Sequence, residues 1–365
     1  MENLPSEIEL EILSRLPISS IIRLKCVSKS LRSVAENPRL HALYLAHARR
    51  RDPSLLLHYS DAGSQQIRLL AAGFGNKTVR SDDDLDFTKL VPTGSCNGFL
   101  CISDAENSSL TPVCLWNPLT GHRIHLPRPI NTSFPEPQHV ALGFGPDPVT
   151  SGPKIVRVVY CNRPTLFGWA WHSQVQVLTV GATWREIGRT SWNLKPVPSE
   201  GILVNSALHW LTLPMQGKVR IVSFDLRAEE FGEIGFPAEE LDPERCRLTQ
   251  LVSLSGHLSA VVCCGGGGFE LWVMKEYGVK ESWCREFAID GDQLPGALNP
   301  NGRGDGGGAA TTVRVLCKLE SSGAILLQIG GCKLVTYCPE TLESKEVEVS
   351  GLPGSFSVTL HMESL

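Results

Sequence analysis

The chain has 365 residues, a formal net charge of −4 at pH 7 and a pI near 6.2. This length suffices for one large domain or two ordinary domains with a substantial apolar core, and the weak negative charge excludes a general affinity for nucleic acid or anionic membranes. Apolar residues make up 42% and charged residues 20%, as in ordinary globular proteins, while 34 glycines and 24 prolines predict many turns.

The chain begins with Met1 and shows neither a basic leader before an apolar segment nor an apolar run long enough to cross a bilayer. We therefore expect an intracellular protein, in the cytoplasm, the nucleus or both, and not a secreted or membrane protein. In a reducing compartment the twelve cysteines are expected to be free thiols. No spacing of Cys and His matches a zinc site, so we expect no metal and no other cofactor.

The N-terminal segment shows three helical patterns separated by prolines. Ser6 can cap the first helix, and four apolar residues recur in it at a spacing that predicts a shared face. They are Ile8, Ile12, Leu13 and Leu16. Pro17 ends this helix, one of the two serines that follow can cap a second helix running to Val34, and Pro38 precedes a third pattern. About fifty residues can bury little apolar surface alone, so this segment needs the rest of the chain or a partner.

Short motifs in this segment resemble the F-box of plant F-box proteins: LP at 4–5, EI at 7–8, ILSRLP at 12–17 and CVSKS at 26–30. One position departs from the pattern, because Leu31 stands where the family usually carries Trp. The resemblance implies docking to a Skp-type adaptor and, through it, to a cullin-based ubiquitin ligase. The residues expected to form the adaptor-binding surface are Leu4, Pro5, Ile8, Ile12, Leu13, Leu16, Pro17, Leu24 and Val27.

After Asp52 the pattern changes to short apolar strands separated by turns, which predicts a helical domain over 1–52 and a β domain over 53–365. A unit of strand, turn and strand returns six times, anchored at Tyr59, Trp116, Leu178, Phe224, Val273 and Tyr337. The two shorter intervals between anchors, 46 and 49 residues, fit the roughly 40 to 50 residues of one propeller blade, and the longer intervals contain extra loops. The predicted fold class is α+β multidomain: a three-helix domain, then an all-β propeller of six blades, or seven or eight if a long interval hides another. Residues 356–360 are the predicted closing strand.

Six motifs of the β domain are similar, in the same order, to the F-box-associated domain found behind plant F-boxes. They are GSCNGFLC at 94–101, LWNPLT at 115–120, LGFG at 142–145, VNSALHWL at 204–211, IVSFDL at 221–226 and WVMKEYGVKESW at 272–283. The chain departs from the family at 151–154 (SGPK), where an acidic, Tyr-containing turn is common. The resemblance covers most of the domain and implies a kelch-like propeller that holds a target protein.

Motifs that suggest chemistry are weak. GFGNKT at 73–78 lacks the Gly before Lys that a phosphate loop needs, and the acidic run at 82–86 lacks the ligand spacing of a calcium loop. His209 lies in an apolar strand and is expected to pack inside a blade, and the tryptophans expected to be core residues are Trp116, Trp210, Trp272 and Trp283. The Gly-rich segment at 291–310 is predicted to be a flexible loop. No combination of Ser, Cys and His marks a catalytic site, so we expect a non-catalytic protein.

The two resemblances imply a substrate-recognition subunit of a Skp–cullin–F-box (SCF) ubiquitin ligase, which docks through its helices and holds an unidentified target protein on its propeller. Two alternatives stay open. A propeller-type glycan-binding module or enzyme with a helical cap would place aromatic residues, or His and carboxylates, at the central face of the ring. A non-degradative F-box scaffold would bind its partner without shortening the lifetime of that partner.

Overall fold

The structure is a computed structural model. It describes residues 5–48, 51–61, 64–70, 76–77, 90–104, 111–130, 137–165, 168–196, 200–214, 218–242, 246–264, 268–294, 313–349 and 351–364. Within these residues, four α-helices precede 24 strands, and the strands form six antiparallel sheets of four strands each. The prediction of short N-terminal helices followed by a six-bladed propeller is therefore confirmed.

The helices number four, not the three predicted. They are α1 (Ser6–Ser14), α2 (Ile18–Leu24), α3 (Lys29–Ala35) and α4 (Pro38–Ala48). The predicted second helix is divided because Ser28 adopts an extended conformation and its Oγ accepts a hydrogen bond from the N–H of Leu31 at 3.1 Å. A serine in this position satisfies a backbone donor at a new helix start, so it begins α3 and turns the chain ahead of it.

The predicted serine caps of the first two helices are wrong. Pro5 and Pro17 occupy the N-cap positions, and neither helix has a side-chain cap. The carbonyl of Pro5 accepts from the N–H groups of Ile8 and Glu9 at 3.0 and 3.1 Å. Proline at this position supplies a non-helical ψ and a carbonyl but needs no N–H partner, which moves each helix start ahead of its serine.

The six blades follow one another along the chain. Blade 1 contains β24 (Ser357–His361), β1 (Ser54–Asp61), β2 (Ser64–Leu70) and β3 (Asn76–Lys77). Blade 2 contains β4 (Leu90–Cys96), β5 (Phe99–Asp104), β6 (Thr111–Trp116) and β7 (Arg123–His125), and blade 3 contains β8 (His139–Pro146), β9 (Pro153–Thr165), β10 (Gly168–Thr179) and β11 (Arg185–Gly188). Each anchor predicted from the sequence lies in a different blade.

The other three blades repeat the same order. Blade 4 contains β12 (Ile202–Val204), β13 (Ala207–Leu211), β14 (Ile221–Asp225) and β15 (Phe231–Ile234), and blade 5 contains β16 (Arg247–Leu254), β17 (His257–Cys263), β18 (Phe269–Met274) and β19 (Trp283–Ile289). Blade 6 contains β20 (Val313–Lys318), β21 (Ile325–Ile329), β22 (Lys333–Cys338) and β23 (Glu343–Glu346). The first strands of neighbouring blades contact each other, so they surround the ring axis.

The ring closes within blade 1, as the sequence predicted. Strand β24 pairs antiparallel with β1, from Ser54↔His361 to His58↔Ser357. Blade 6 adds two side-chain bonds to this closing segment: Gln328 Nε2 donates to the carbonyl of Phe356 at 2.7 Å, and Arg314 Nη1 donates to that of Val358 at 2.9 Å. The C-terminal strand thus joins the first and last blades, which leaves the ring without a free end.

The strand order defines two faces of the ring. The helix-side face carries the turns between first and second strands and between third and fourth strands of each blade. The chain enters this face from α4, because α4 leads into β1 and β1 is the second strand of blade 1. The remote face carries the connections between second and third strands and those between blades. Strand direction alternates within an antiparallel sheet, so these two sets of loops lie at opposite ends.

The apolar core lies within and between the blades. The tryptophans expected to be core residues are 1 to 6% exposed: Trp116, Trp210, Trp272 and Trp283. His209 is completely buried; its Nδ1 lies 3.0 Å from the carbonyl oxygen of Ile202, and its Nε2 lies 2.8 Å from the hydroxyl of Tyr277. Burial lowers the pKa of His209 to about 4, so this imidazole is neutral and structural at pH 7.

Candidate functional site

The four helices pack on the helix-side face of the ring. Leu119, in the turn between β6 and β7, and Met362, just after β24, pack against the apolar core of the helices. The link between the two regions adds polar contacts, because Arg51 donates to the carbonyl of Arg15 at 3.2 Å and the carboxylate of Asp52 accepts from the turn between β20 and β21. Three separate segments of the ring therefore hold the helices and their linker on this face.

The helices form a small core of their own. Its buried members are Leu10, Leu13, Ile18, Ile21, Ala35, Leu40 and Tyr44, and its half-buried members include Leu16 and Leu24. Leu13 is only 1% exposed. Leu10 is absent from the predicted apolar face, although its spacing of three residues from Leu13 fits one face of a helix. A substitution at Leu13 therefore acts first on the fold of the helices.

Helix α1 is apolar on two different faces. Successive residues of a helix are rotated by about 100°, which places the centre of the Ile8 and Ile12 face about 150° from the centre of the face that buries Leu10 and Leu13. The side chains of Ile8 and Ile12 are accordingly 48% and 42% exposed. The prediction that these isoleucines share one face with Leu13 is wrong, since α4 covers only the Leu10 and Leu13 side of the helix.

Val27 is the third exposed large apolar residue among residues 5–48, at 69% exposure. It lies in the turn between α2 and α3, where the N–H groups of Cys26 and Val27 donate to carbonyls three residues earlier. Arg32 Nε donates to the carbonyl of Lys25 at 3.0 Å and ties α3 to this turn. The division of the predicted second helix is thus what brings Val27 to the surface.

The residues predicted to bind an adaptor separate into three groups. Pro5, Ile8, Ile12, Pro17 and Val27 are exposed, Leu16 and Leu24 are half-buried against the helical core, and Leu13 is buried; Leu4 lies outside the described residues. An open groove of about 490 Å³ adds a polar surface nearby, lined by Lys29, Arg32, Ser33, Glu36, Asn37 and Pro38. The helical region therefore offers an exposed apolar face and a polar groove for a protein partner.

The remote face bears a long hairpin. Strands β9 and β10 have 13 and 12 residues, but β8 pairs with β9 only as far as Tyr160, so the arms extend beyond their blade. Trp171 on β10 is 45% exposed. Its ring contacts His139 edge to face at a centroid distance of 5.0 Å, and His139 stacks on Tyr160 at 4.4 Å. This aromatic stack holds Trp171 at the base of the hairpin. Because β10 is the third strand of blade 3 counted from the ring axis, Trp171 lies away from that axis.

Residues 148–185, which include the hairpin, contain no Asp or Glu. Arg163 and His172 lie on its two arms, so the hairpin carries basic residues and no acidic ones. Burial lowers the pKa of His139, which keeps that ring neutral at pH 7. The remote face of blade 3 is therefore suited to a segment that offers acidic and apolar groups.

Only some of the candidate cofactor motifs lie among the described residues. The residues that the structure describes contain no group of three or more His, Cys, Asp or Glu placed to hold a metal ion. The acidic run at 82–86 lies outside the described residues, as do residues 73–75 and 78 of the weak phosphate-loop motif and most of the predicted flexible loop at 291–310. The first residues of that loop, Gly291–Gln293, form a single 3-10 turn. None of the four described helices combines the length and apolar character that a bilayer crossing requires.

Comparisons with known families match both regions. The F-box domain matches residues 1–43, and the F-box associated beta propeller domain matches residues 56–294. F-box protein At3g07870 of Arabidopsis thaliana is 35% identical, over 100% of this chain and 92% of the relative. F-box protein CPR1 of the same plant is 24% identical, over 100% and 89%, and the F-box/kelch-repeat protein At3g23880 is 29% identical, over 79% and 80%.

Solved structures show a more distant likeness. TolB from Acinetobacter baumannii has a TM-score of 0.46 at 11% identity, covering 88% of this chain and 70% of that chain. A six-bladed fungal lectin from Aleuria aurantia has a TM-score of 0.43 at 11% identity, covering 85% and 91%.

Proposed function

Because this chain belongs to the plant F-box proteins that carry an F-box associated β-propeller domain, we propose that it is the substrate-recognition subunit of an SCF ubiquitin ligase. The helices dock to a Skp-type adaptor, and the propeller binds a target protein to promote its ubiquitination. The observation that carries this proposal is the apolar face of α1 that neither the helices nor the ring covers. Such an assembly works inside the cell, in the cytoplasm or the nucleus.

The adaptor-binding surface in this proposal centres on Ile8, Ile12 and Val27, with Pro5 and Pro17 at its edge. These isoleucine and valine residues are 42 to 69% exposed, so a large part of their apolar area is in contact with water. Burial of that area in a groove of the adaptor is favourable by about 25 cal/mol per Å², so these residues are the expected anchors. Leu13, Leu16 and Leu24 act indirectly, because they support the helix that presents the anchors.

The contribution to ubiquitin transfer is positional. F-box proteins are generally non-catalytic adaptors, and we propose that this chain likewise supplies no catalytic group. Holding a target lysine near the charged conjugating enzyme raises its effective concentration, which makes the transfer effectively intramolecular. The helices and the remote face lie at opposite ends of the ring, so adaptor and target can bind together.

The adaptor-binding proposal is tested with charge substitutions on the exposed face of α1. We expect Ile8→Asp and Ile12→Asp each to weaken binding of the purified full chain to a Skp-type adaptor at least about tenfold, because an aspartate in an apolar groove loses its hydration. Isothermal titration calorimetry measures the affinity, and thermal unfolding verifies that each variant is folded.

The matched control is Val149→Asp, which places the same charge at a 70% exposed valine on the ring. This variant should bind the adaptor as the wild type does. Unchanged affinity in Ile8→Asp and Ile12→Asp would show that α1 does not dock through this face.

The target-binding surface in this proposal is the remote face of blade 3, around Trp171. An exposed tryptophan held by an aromatic stack is a rigid anchor of the kind that dominates protein interfaces. The basic arms of the hairpin favour an acidic and apolar segment of the target. The expected position of Trp171, away from the ring axis, gives less support to a glycan site or catalytic site at the centre.

Affinity capture with a variant that no longer binds the adaptor tests this surface, because targets bound to it then accumulate undegraded. We expect Trp171→Ala, added to Ile12→Asp, to lose proteins that Ile12→Asp alone captures. Val149→Ala, at an exposed residue of the same blade on the opposite face, is the control and should retain them. Equal capture by both variants would move the target site elsewhere. A captured protein whose lifetime does not depend on the F-box would indicate a non-degradative scaffold.

A further inference from the structure

Two cysteines meet at the remote face of blade 5. Cys246 precedes β16 and Cys264 follows β17, one register step beyond the pair Arg247↔Cys263. Their sulfur atoms are 2.9 Å apart, and both side chains are half-buried. Residues directly opposed across antiparallel strands are close enough for a disulfide after a small adjustment of the backbone. We propose that Cys246 and Cys264 form a reversible disulfide when the protein encounters a peroxide.

The surroundings of this pair limit which sulfur reacts first. Both cysteines pack against an apolar cluster that includes Trp272 and Trp283. Burial, followed by the adjacent sulfur of Cys246, raises the pKa of the Cys264 thiol to about 12. Cys264 therefore keeps its proton and is the second sulfur to react, which leaves the first attack on the oxidant to Cys246.

The oxidation balances with hydrogen peroxide as the oxidant. The Cys246 thiolate attacks one peroxide oxygen, the O–O bond breaks, and the departing hydroxide takes up the proton that Cys246 had lost and becomes water. Cys246 is then a sulfenic acid. The Cys264 sulfur attacks the Cys246 sulfur, an S–S bond forms, and the hydroxide that leaves takes the Cys264 proton as a second water. Two thiols lose two electrons, and a dithiol reductant returns them by exchange.

The disulfide would fix the linker between blades 4 and 5. That linker includes the 3-10 turn Ala238–Glu240, and the N–H of Cys246 donates to the carbonyl of Asp242 at 2.8 Å. A bond to Cys264 ties the end of the linker to the end of β17 across the remote face. The helices lie on the other face, so the disulfide would restrain the remote face, on which we place the target. This consequence for target capture rests on the proposed function.

The test uses the reduced full chain treated with a small excess of hydrogen peroxide. We expect peptide mass spectrometry under non-reducing conditions to find a Cys246–Cys264 cross-link, with the loss of two hydrogen atoms, reversed by dithiothreitol. Closing the short loop between Cys246 and Cys264 should raise the thermal unfolding midpoint by about 5 °C. Cys246→Ser and Cys264→Ser should show neither change.

Cys263→Ser is the matched control. Cys263 is adjacent in sequence, but its sulfur lies 3.3 Å from Thr249 Oγ1, and successive side chains of a strand point to opposite faces. The control should form the cross-link as fully as the wild type. A cross-link through Cys263 or Cys284, or a Cys246 that stops at sulfenic or sulfinic acid, would overturn the proposal.

Adaptor affinity separates this proposal from the proposed function. The cross-link is detected without any partner, so its absence leaves the ligase proposal intact, and an adaptor that fails to bind leaves the cross-link intact. Oxidised and reduced wild type should bind the adaptor within about twofold of each other, because the disulfide is on the remote face. A larger loss of adaptor affinity on oxidation would contradict an effect of the disulfide that is confined to that face.

Discussion

The helical region and the propeller use apolar side chains differently. Among the described residues, three of the seven large apolar side chains that are exposed lie within residues 5–48: Ile8, Ile12 and Val27. The other four are distributed over the much longer ring, each on a different segment. The ring closes on itself and can bury its strands between neighbouring blades, whereas four short helices cannot enclose both faces of α1.

This difference indicates how each region depends on the rest of the molecule. The ring needs its own C-terminal strand, and the helices need a surface supplied from outside: Leu119 and Met362 of the ring on one side, and in our proposal the adaptor on the other. Stability of the ring and partner binding by the helices should therefore respond to different substitutions. Four predictions test that separation, from the largest expected effect to the smallest.

The largest effect is expected from removing residues 354–365. This truncation deletes β24, the pairing with β1 and the hydrogen bond from Asn117 Nδ2 to the carbonyl of Ser364 at 3.0 Å. Blade 1 then loses its innermost strand and the ring becomes open, so we expect cooperative thermal unfolding to be lost. Calorimetry measures it. A chain that ends at Ser364 is the control, and a sharp transition in the longer truncation would contradict closure through β24.

Leu13→Ala should destabilise the helices without opening the ring. Removing most of a fully buried leucine costs about 2 to 4 kcal/mol of unfolding free energy, here restricted to the helical region. Hydrogen exchange should show faster exchange in α1 and α4 and unchanged exchange in the blades. Ile12→Ala, one residue earlier on the exposed face, is the control and should alter exchange little. Equal protection in both variants would contradict the assignment of Leu13 to the helical core.

Acid should weaken the ring. Burial lowers the pKa of both His209 and His361 to about 4, below the value near 6.5 of an unfolded chain. Between these values the unfolded state binds more protons, so the stabilisation is complete above pH 6.5 and is lost as the pH falls toward 4. We expect the unfolding free energy at pH 5 to be lower than at pH 7 by on the order of 2 kcal/mol for each histidine.

Urea unfolding at the two pH values measures this loss. His361, whose Nδ1 lies 3.0 Å from Ser95 Oγ, joins β24 to blade 2. His361→Gln removes one titrating group from the ring and should reduce the difference between pH 7 and pH 5. A difference that is the same in this variant and in the wild type would assign the acid sensitivity to other groups.

Leu31→Trp should have the smallest effect. Leu31 is half-buried on α3 and lies outside the packed core of the helices, so the larger ring should alter the unfolding free energy by less than about 0.5 kcal/mol. If α3 contributes to the adaptor surface, the added aromatic area should raise adaptor affinity about twofold to fivefold. Calorimetric titration measures it beside Ile12→Asp. A stability change above 1 kcal/mol would instead assign Leu31 to the joint with the ring.

Much of the architecture was predictable from local sequence. Six returning strand units gave the blade number, residues 356–360 gave the closing strand, and tryptophans inside apolar strands gave core positions. Each of these signals depends on alternation or on repeats of the same supersecondary unit, which a single sequence displays directly. The division of the predicted second helix into α2 and α3 was harder to predict from the sequence, although Ser28 is of the residue type that commonly begins a helix.

The sequence by itself determined that a helical segment with F-box motifs precedes a six-fold β repeat, because motif and period are properties of neighbouring residues. Only the tertiary structure decided that Leu13 faces inward while Ile8 and Ile12 face outward, since all three fit a helical spacing and the choice depends on where α4 packs. It likewise brought Cys246 opposite Cys264 and separated the helices from Trp171 by the depth of the ring. Those relations arise from strand register and ring closure, which join residues far apart in the chain.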